Sequence, residues 1–409
     1  MKKLFAVALG ILTAIGGFVD IGDLVTNGLV GARFGLSLAW VVVVGIIGIC
    51  SFAEMSGRVA AVSGRATFDL VRERLGPRMG LLNLGASMAV TLLTFAAEIG
   101  GVALALQLAT SVNPYLWMPV VGAAVWIVLW RVKFSVLENA FGLAGLALVV
   151  FAVALWKLGP DWADLWRQAS RPFVPHDESH TTYFYYAIAL FGAAMTPYEV
   201  FFFSSGGVEE RWTADDLGTM RANVFIGFPL GGLLSVAIAA VAAVVYQPQR
   251  IQVDSLGQIG MPVGQALGVL GVALVLLGFF AATFGAACET GLSVGYSIAQ
   301  YLGWQWGKYV TPLRAARFHT VVLLSTVIAV GLLLTTADPI MLTEYSVVFS
   351  AVALPLTYFP ILVVANDRTY MGRHVNGRFA NLLGTAYLVL ILVAALAAIP
   401  LMIVTRAGQ

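Results

Sequence analysis

Two stretches decide how this chain reads: Gly16-Gly17-Phe18-Val19-Asp20-Ile21-Gly22-Asp23 and Gly192-Ala193-Ala194-Met195-Thr196-Pro197-Tyr198-Glu199. Each interrupts an apolar segment with helix-breaking and acidic residues. Each sets polar side chains three apart, Asp20 and Asp23 in the first, Thr196 and Glu199 in the second. Gly16, Gly17 and Gly22 permit a break in the first stretch, and Pro197, which lacks a backbone donor, forces one in the second. Similar tails follow, Leu24-Val25-Thr26-Asn27-Gly28 and Val200-Phe201-Phe202-Phe203-Ser204. Unwinding frees N–H and C=O groups that lipid cannot satisfy, so a break inside a membrane survives only where those groups bind substrate, ion or water.

The flanking sequence supplies the membrane. Of 409 residues, 60% are hydrophobic and 11% are charged, and the mean hydropathy is +0.89. Soluble domains carry roughly 25% charged residues, so the bilayer is the natural solvent here. A span needs about 20 mostly apolar residues. Eleven such stretches are predicted, over 4–32, 36–62, 84–110, 116–130, 136–157, 183–206, 221–246, 264–300, 316–336, 340–365 and 380–405. The interrupted stretches fall in spans 1 and 6. Five is odd, so these two enter the membrane from opposite sides, the pattern of two inverted five-helix repeats whose first helices are unwound near the midplane. The organisation expected is a first repeat over 1–157, an external loop over 158–182, a second repeat over 183–365, and a loop with an eleventh span over 366–409.

All but six of the 23 Lys and Arg residues fall on the side of the N-terminus; the exceptions are Arg33, Lys157, Arg167, Arg171, Arg250 and Arg406. The positive-inside rule then puts the N-terminus inside and, with eleven spans, the C-terminus outside, an orientation that fits a bacterial inner membrane. Met1-Lys2-Lys3 and the apolar run behind it resemble a signal peptide, but no small-residue cleavage site followed by a soluble domain appears, and they are read as an uncleaved first span. The arginines at 65–78 read as a cytoplasmic loop face, not a nucleic-acid site. The net charge of +2 selects no class of partner. Cys50 and Cys288 both lie inside spans and read as small core residues, which argues against a disulfide framework and a thiolate metal site.

Carboxylates carry the functional signal. One at the bilayer centre costs at least about 2.5–3.5 kcal/mol. Asp20, Asp23 and Glu199 would repel one another if all were ionised, and a bound cation or protonation relieves that. No Lys or Arg lies mid-span to pair with them. Glu98 in span 3 is a further intramembrane carboxylate, readable as a proton-relay group or as a hydrogen-bond acceptor for backbone at a helix contact. Glu54, Glu289 and Glu344 read as interface or capping residues.

At these motifs the chain resembles the Nramp family of proton-coupled divalent metal transporters, including its magnesium- and aluminium-transporting relatives. Asp20-Ile21-Gly22-Asp23 stands where the family carries Asp-Pro-Gly-Asn, and Thr196-Pro197-Tyr198 where it carries Met-Pro-His. Thr94-Phe95-Ala96-Ala97-Glu98-Ile99-Gly100 is similar to the acidic motif of span 3. Asn366-Asp367-Arg368-Thr369-Tyr370-Met371-Gly372 with Asn376 is similar to the loop after span 10, and Pro160-Asp161-Trp162 to the loop after span 5. The resemblance implies an all-α polytopic fold of the leucine-transporter type, two inverted repeats with broken spans 1 and 6 plus an eleventh helix. It implies that Asp20 is the metal-binding Asp, that Asp23 replaces a ligand Asn and Thr196 a ligand Met, and that Gly17 and Ala193 turn backbone carbonyls to the metal. Losing a thioether and gaining a carboxylate moves such a site from softer metals towards hard ions such as Mg²⁺, which one or two carboxylates can hold, with Asp20, Asp23 and Glu199 available as oxygen ligands. Phe95 stands at the family's span 3 Asp and Tyr198 at its span 6 His. Tyr titrates near 10 and cannot relay protons at neutral pH, which leaves Glu98 and Glu199, or an uncoupled facilitator.

The expected function is therefore transport of a hard divalent cation, Mg²⁺ or Mn²⁺, by alternating access, with a co-transported proton as an option. A second reading keeps the fold and carries a small organic cation, with Tyr198, Phe95, Phe201 and Phe202 as aromatic frame; a channel is a third. An enzyme is not expected. The four histidines, His176, His180, His319 and His374, lie outside span centres, and the cluster His176, Asp177, Glu178 and His180 reads as solvated loop. No nucleotide-binding loop and no cofactor are implied. The lipid bilayer is the one obligatory partner; the oligomeric state is open, and a monomer is compatible.

Overall fold

The computed structural model describes residues 2–176, 178–335 and 338–408, and its regular secondary structure among them is helical. Asp177 of the histidine cluster lies outside the described residues. The first helix, α1 (Lys2–Gly17), stops at residues 18–20, and α2 (Ile21–Phe34) restarts after a bend of 62°. Asp20 starts α2: its backbone is extended and its carboxylate accepts the Asp23 amide at 2.9 Å, which gives an otherwise orphan donor a partner. Then come α3 (Ala39–Ser63), α4 (Thr67–Thr110), α5 (Pro114–Arg131), α6 (Phe134–Gly145) and α7 (Val150–Leu158), the last two joined by a 3₁₀ turn over Leu146–Val149. A short surface helix, α8 (Trp162–Ser170), leads to α9 (His180–Ala194). Met195 and Thr196 break it from α10 (Pro197–Glu209), where Pro197 occupies the first turn, a position that needs no donor. α11 (Leu217–Ala222) continues through a π turn over Asn223–Gly227 into α12 (Phe228–Val245). α13 (Leu256–Leu302), α14 (Ala316–Thr335), α15 (Pro339–Ala365), α16 (Arg368–Met371) and α17 (Arg378–Val404) complete the chain.

Among the described residues, ten helical stretches are long and apolar enough to span a bilayer, and the bent pair α1/α2 makes eleven. The chain is an integral membrane protein. Two expectations are corrected. Residues 67–75 are helix, not loop. Phe68, Leu70 and Val71 are buried, Arg65 pairs with Glu73 at 2.8 Å, and only Gly76, with φ 85° before Pro77, separates this turn-rich start from the span proper. Span 8 begins beyond a second such corner. Gly268 adopts φ 65° and ψ −150°, and the helical segment before it, from Leu256, seals the end of α2, where Ile259 packs on Gly28. A glycine is required at both corners because a Cβ is strained at positive φ.

The packing repeats itself with the two halves exchanged. α1 packs on α6, and correspondingly α9 on α15; α2 packs on α12, and α10 on α3; α4 and α13 cross at the centre. Small residues set the first of these pairs. A Cβ on Gly16 would run into the Gly142 carbonyl, and one on Gly192 into the Val347 carbonyl, so both half-helices touch their partners backbone to backbone. Gly16 thus serves this contact, not the break, which lies wholly after Gly17.

Gly16→Ala should therefore lower stability by about 1–3 kcal/mol, the range for overpacking a tight contact. Gly85→Ala, with nothing within 4 Å of the added methyl, should be neutral or stabilising by up to about 1 kcal/mol. Thermal unfolding in detergent distinguishes the two.

Candidate functional site

The break between α1 and α2 is held by carboxylates. Asp20 is 4% exposed; besides capping α2 it accepts the Tyr198 hydroxyl at 3.1 Å, so α10 is tied to the start of α2. Glu98 of α4 is fully buried and accepts the Ile21 amide at 3.2 Å. Of the two sequence readings for Glu98, backbone hydrogen bonding at a helix contact is the one seen in the geometry. Gly22 lies under this arrangement: a Cβ there would sit 3.0 Å from Asp20 Oδ1 and 2.9 Å from Val347. Asp23 looks away towards α12, where Ser235 Oγ reaches its Oδ1 at 3.4 Å, and Asn27 Nδ2, one turn further along α2, reaches the same oxygen at 3.4 Å.

At the second break, Thr196 donates to Glu199 Oε2 at 3.3 Å, one turn into its own helix. Gly17 ends α1, and Ala193 lies in the last turn of α9. Their carbonyls belong to terminal turns whose acceptors have no intrahelical partner, at the negative ends of two half-helix dipoles. Among the described residues no three His, Cys, Asp or Glu side chains converge at metal-ligating distance. Asp20, Asp23 and Glu199 thus share one neighbourhood without forming a closed cage.

A cavity of about 300 Å³ leads to this region. Its inner end is Gly17, Phe18 and Glu199; its outer end is Glu210, Trp212 and Asp216 in the loop after α10. Asp20, Asp23, Thr196 and Ala193 lie behind the inner end and do not line it. Five carboxylates face the cavity, those of Glu138, Glu199, Glu210, Asp216 and Glu289, and among the described residues no Lys, Arg or His lines it. Glu138 and Glu210 were not singled out in the sequence. Glu138 stands one helical turn after Phe134 near the start of α6, a position legible as cavity-facing only once α1 and α10 are placed beside it. Glu289, expected to be a capping or interface residue, instead faces this cavity, 3.9 Å from where a Gly17 Cβ would be. Of the aromatic frame considered above, Phe202 lines the cavity, while Phe95 is buried against Gly291 and Phe201 meets Phe68 edge to face with ring centroids 5.0 Å apart.

Glu54 also has a firmer role than capping. It is bound by Arg58 at 3.0 Å on its own helix and by Arg221 at 2.9 Å from α11, and Arg58 reaches on to Asn376 Oδ1 at 2.5 Å and to the His374 carbonyl. The loop 366–377, singled out as a motif, is thereby clamped to α3.

A helical membrane protein with two discontinuous spans meeting beside an acid-lined cavity has the leucine-transporter type of fold. Similar architecture occurs in a manganese transporter of Eremococcus coleocola (TM-score 0.73, 17% identity, covering all of this chain and 89% of that one) and in the nucleobase-cation-symport-1 family transporter Mhp1 (TM-score 0.61, 15% identity, 96% and 91%). The family model for natural resistance-associated macrophage protein-like sequences matches residues 10–400, and the chain belongs to that family, Nramp. A curated relative, the divalent metal cation transporter MntH of Deinococcus radiodurans, is 26% identical over 385 residues, covering 92% of this chain and 85% of the relative.

Removing the acceptor at Glu98 should leave the Ile21 amide unpaired in a dry interior. Glu98→Ala is expected to cost about 1–3 kcal/mol in thermal unfolding, and Glu98→Gln, which keeps a carbonyl acceptor, distinctly less.

Proposed function

We propose that the chain transports divalent metal cations, with hard ions, Mg²⁺ or Mn²⁺, as preferred substrates. The observation that carries this is the cavity lined by five carboxylates and, among the described residues, by no basic side chain, ending at two half-helix termini. A cation entering it meets negative potential along its whole length, focused by low-dielectric walls. The ion is bound by the carboxylates of Asp20, Asp23 and Glu199, the Thr196 hydroxyl and the carbonyls of Gly17 and Ala193. All these donors are oxygen, which favours hard ions over soft ones. Because Asp20 and Thr196 lie behind the cavity's inner end, loading them requires a small shift of α1 or α10. Alternating access supplies that shift by rocking the half-helices against the α4/α13 centre. We assign the cavity mouth and the N-terminus to the inside of a bacterial inner membrane, in line with the distribution of Lys and Arg. Proton coupling, where it operates, runs through Glu98 and Glu199, since the Tyr198 hydroxyl is engaged with Asp20.

A second reading, a small organic cation as substrate, is favoured by one observation: the rings of Phe18, Phe134, Phe202 and Trp212 line the same cavity as the acids, the combination that recognises alkylammonium groups.

Calorimetric titration of the purified protein with Mg²⁺, Mn²⁺, Ca²⁺ and small amines separates the two. Under the metal reading, Asp20→Ala weakens metal binding by at least about a hundredfold, the effect of breaking a buried charge pair. Asp20-dependent amine binding with no metal bound would transfer the assignment to the organic cation. Thr196→Met, which adds a thioether, should shift preference from Mg²⁺ towards Mn²⁺ and Cd²⁺ by about tenfold. Uptake into vesicles at several external pH values checks the coupling: Glu98→Gln removes the pH dependence if Glu98 carries the proton.

A further inference from the structure

A second hollow, of about 220 Å³ and with no lining residue in common with the acid-lined cavity, lies between the loop joining α5 to α6 and the segment between α13 and α14. Its chemistry is the opposite. Arg131, Lys133, Lys308 and His319 line it together with the rings of Trp130 and Tyr309, and among the described residues no Asp or Glu does. Among the described residues none of the three cations is ion-paired. The Lys308 ammonium caps the end of α5, donating to the Leu129 carbonyl and, at 3.5 Å, to that of Val128, which also accepts the Val132 amide. The nearby Glu209 carboxylate is engaged elsewhere, by the Lys308 and Tyr309 amides and the Tyr296 hydroxyl at 3.0 Å. Burial pushes the Lys308 ammonium down to about 8, the direction for a cation held without full compensation. Independently of charge, His319 Nε2 is shut off from solvent and has no hydrogen-bond partner among the described residues. A buried polar atom left unpaired costs about 1–3 kcal/mol unless a ligand completes it.

We propose that this hollow binds a phosphate group, with Arg131, Lys133 and Lys308 supplying charge and His319 Nε2 a hydrogen bond. Phosphate fits because it offers several acceptor oxygens to donors that converge from three elements. The position favours the headgroup of an anionic phospholipid as its source. α5 is mostly uncovered by protein, with Leu116, Val120 and Ile127 exposed above the hollow, a path for acyl chains. Trp126 and Trp130 stack at 5.4 Å beside its rim, as aromatic residues do at a membrane interface, and Arg131 lies over the Trp130 ring at 4.5 Å. Basic hollows between spans on the positively charged face are suited to such headgroups.

The test uses the full-length protein in detergent, with thermal unfolding followed on titration with phosphatidylglycerol, phosphatidylcholine or inorganic phosphate, supported by native mass spectrometry of retained lipid. The variants are Arg131→Gln/Lys133→Gln, both on exposed side chains, and His319→Phe. Lys308 is left intact because it also caps α5. Phosphatidylglycerol should raise the wild-type midpoint more than phosphatidylcholine does. The double variant should bind it about thirtyfold more weakly, the combined effect of two interfacial cations, and His319→Phe should also weaken it. If inorganic phosphate stabilises the wild type but not the variants, while the two lipids act alike, the phosphate site stands with a soluble source. If no phosphate-bearing compound distinguishes wild type from either variant, the proposal is overturned. The unfolding midpoints without ligand show separately whether each variant is folded.

Discussion

A backbone amide without a partner in hydrocarbon is the constraint around which this protein is organised. At residues 18–20 the helical ladder stops in the interior of an apolar chain, and the donors released must be met. The protein meets them with acids: Asp20 takes the Asp23 amide, and Glu98 takes the Ile21 amide from a different helix. Each solution introduces a carboxylate where lipid would reject one. The interruption and the acidity are thus one feature, since amides at a helix start favour negative charge, and the charge attracts a cation.

From that constraint the rest of the architecture follows. Carboxylates can be kept inside a bilayer only when shielded by protein or facing an aqueous cavity. α4, α13 and α15 provide the shield on one side, and the acid-lined cavity between α1, α6, α10 and α13 provides water on the other. The second break, at Met195 and Thr196, brings α10 to the same place from the opposite direction, and the Tyr198–Asp20 hydrogen bond joins the two. Cations elsewhere are kept away from this centre. Arg58 and Arg221 are committed to Glu54, and Arg33 to Glu178 at 2.8 Å.

Much of this was legible in the sequence because the relevant signals are local. Gly-Gly before Asp20, Pro197 after Thr196, and the spacing of apolar runs are read without knowing what packs where, and both breaks and all eleven spans were found from them. The spacing of polar residues by three was also visible, and in the structure those pairs touch, Asp20 accepting the Asp23 amide and the Thr196 hydroxyl donating to Glu199. What was missed depends on long-range contact. Glu138 looks like any polar residue near a helix start until α1 and α10 stand beside it, and Glu289 reads as a capping residue until the end of Gly17 is seen nearby. Arg58 lies close enough to a span end to look solvated, yet it is 4% exposed because the loop 366–377 folds over it. The helix at 67–75 was read as loop because four arginines between 65 and 78 hid the buried face of Phe68, Leu70 and Val71.

The two contacts made by Gly16 on Gly142 and by Gly192 on Val347 carry a mechanical meaning. Elsewhere helices interlock through side chains, and any relative motion must lift knobs out of holes and reset rotamers. A surface made of backbone has no rotamers to reset. At these two places, related by the exchange of halves, the half-helices rest on their neighbours as a shaft rests in a plain bearing. Each contact sits on a half-helix that ends at a break, so a displacement of either half-helix along its neighbour would disturb no side-chain packing at that point.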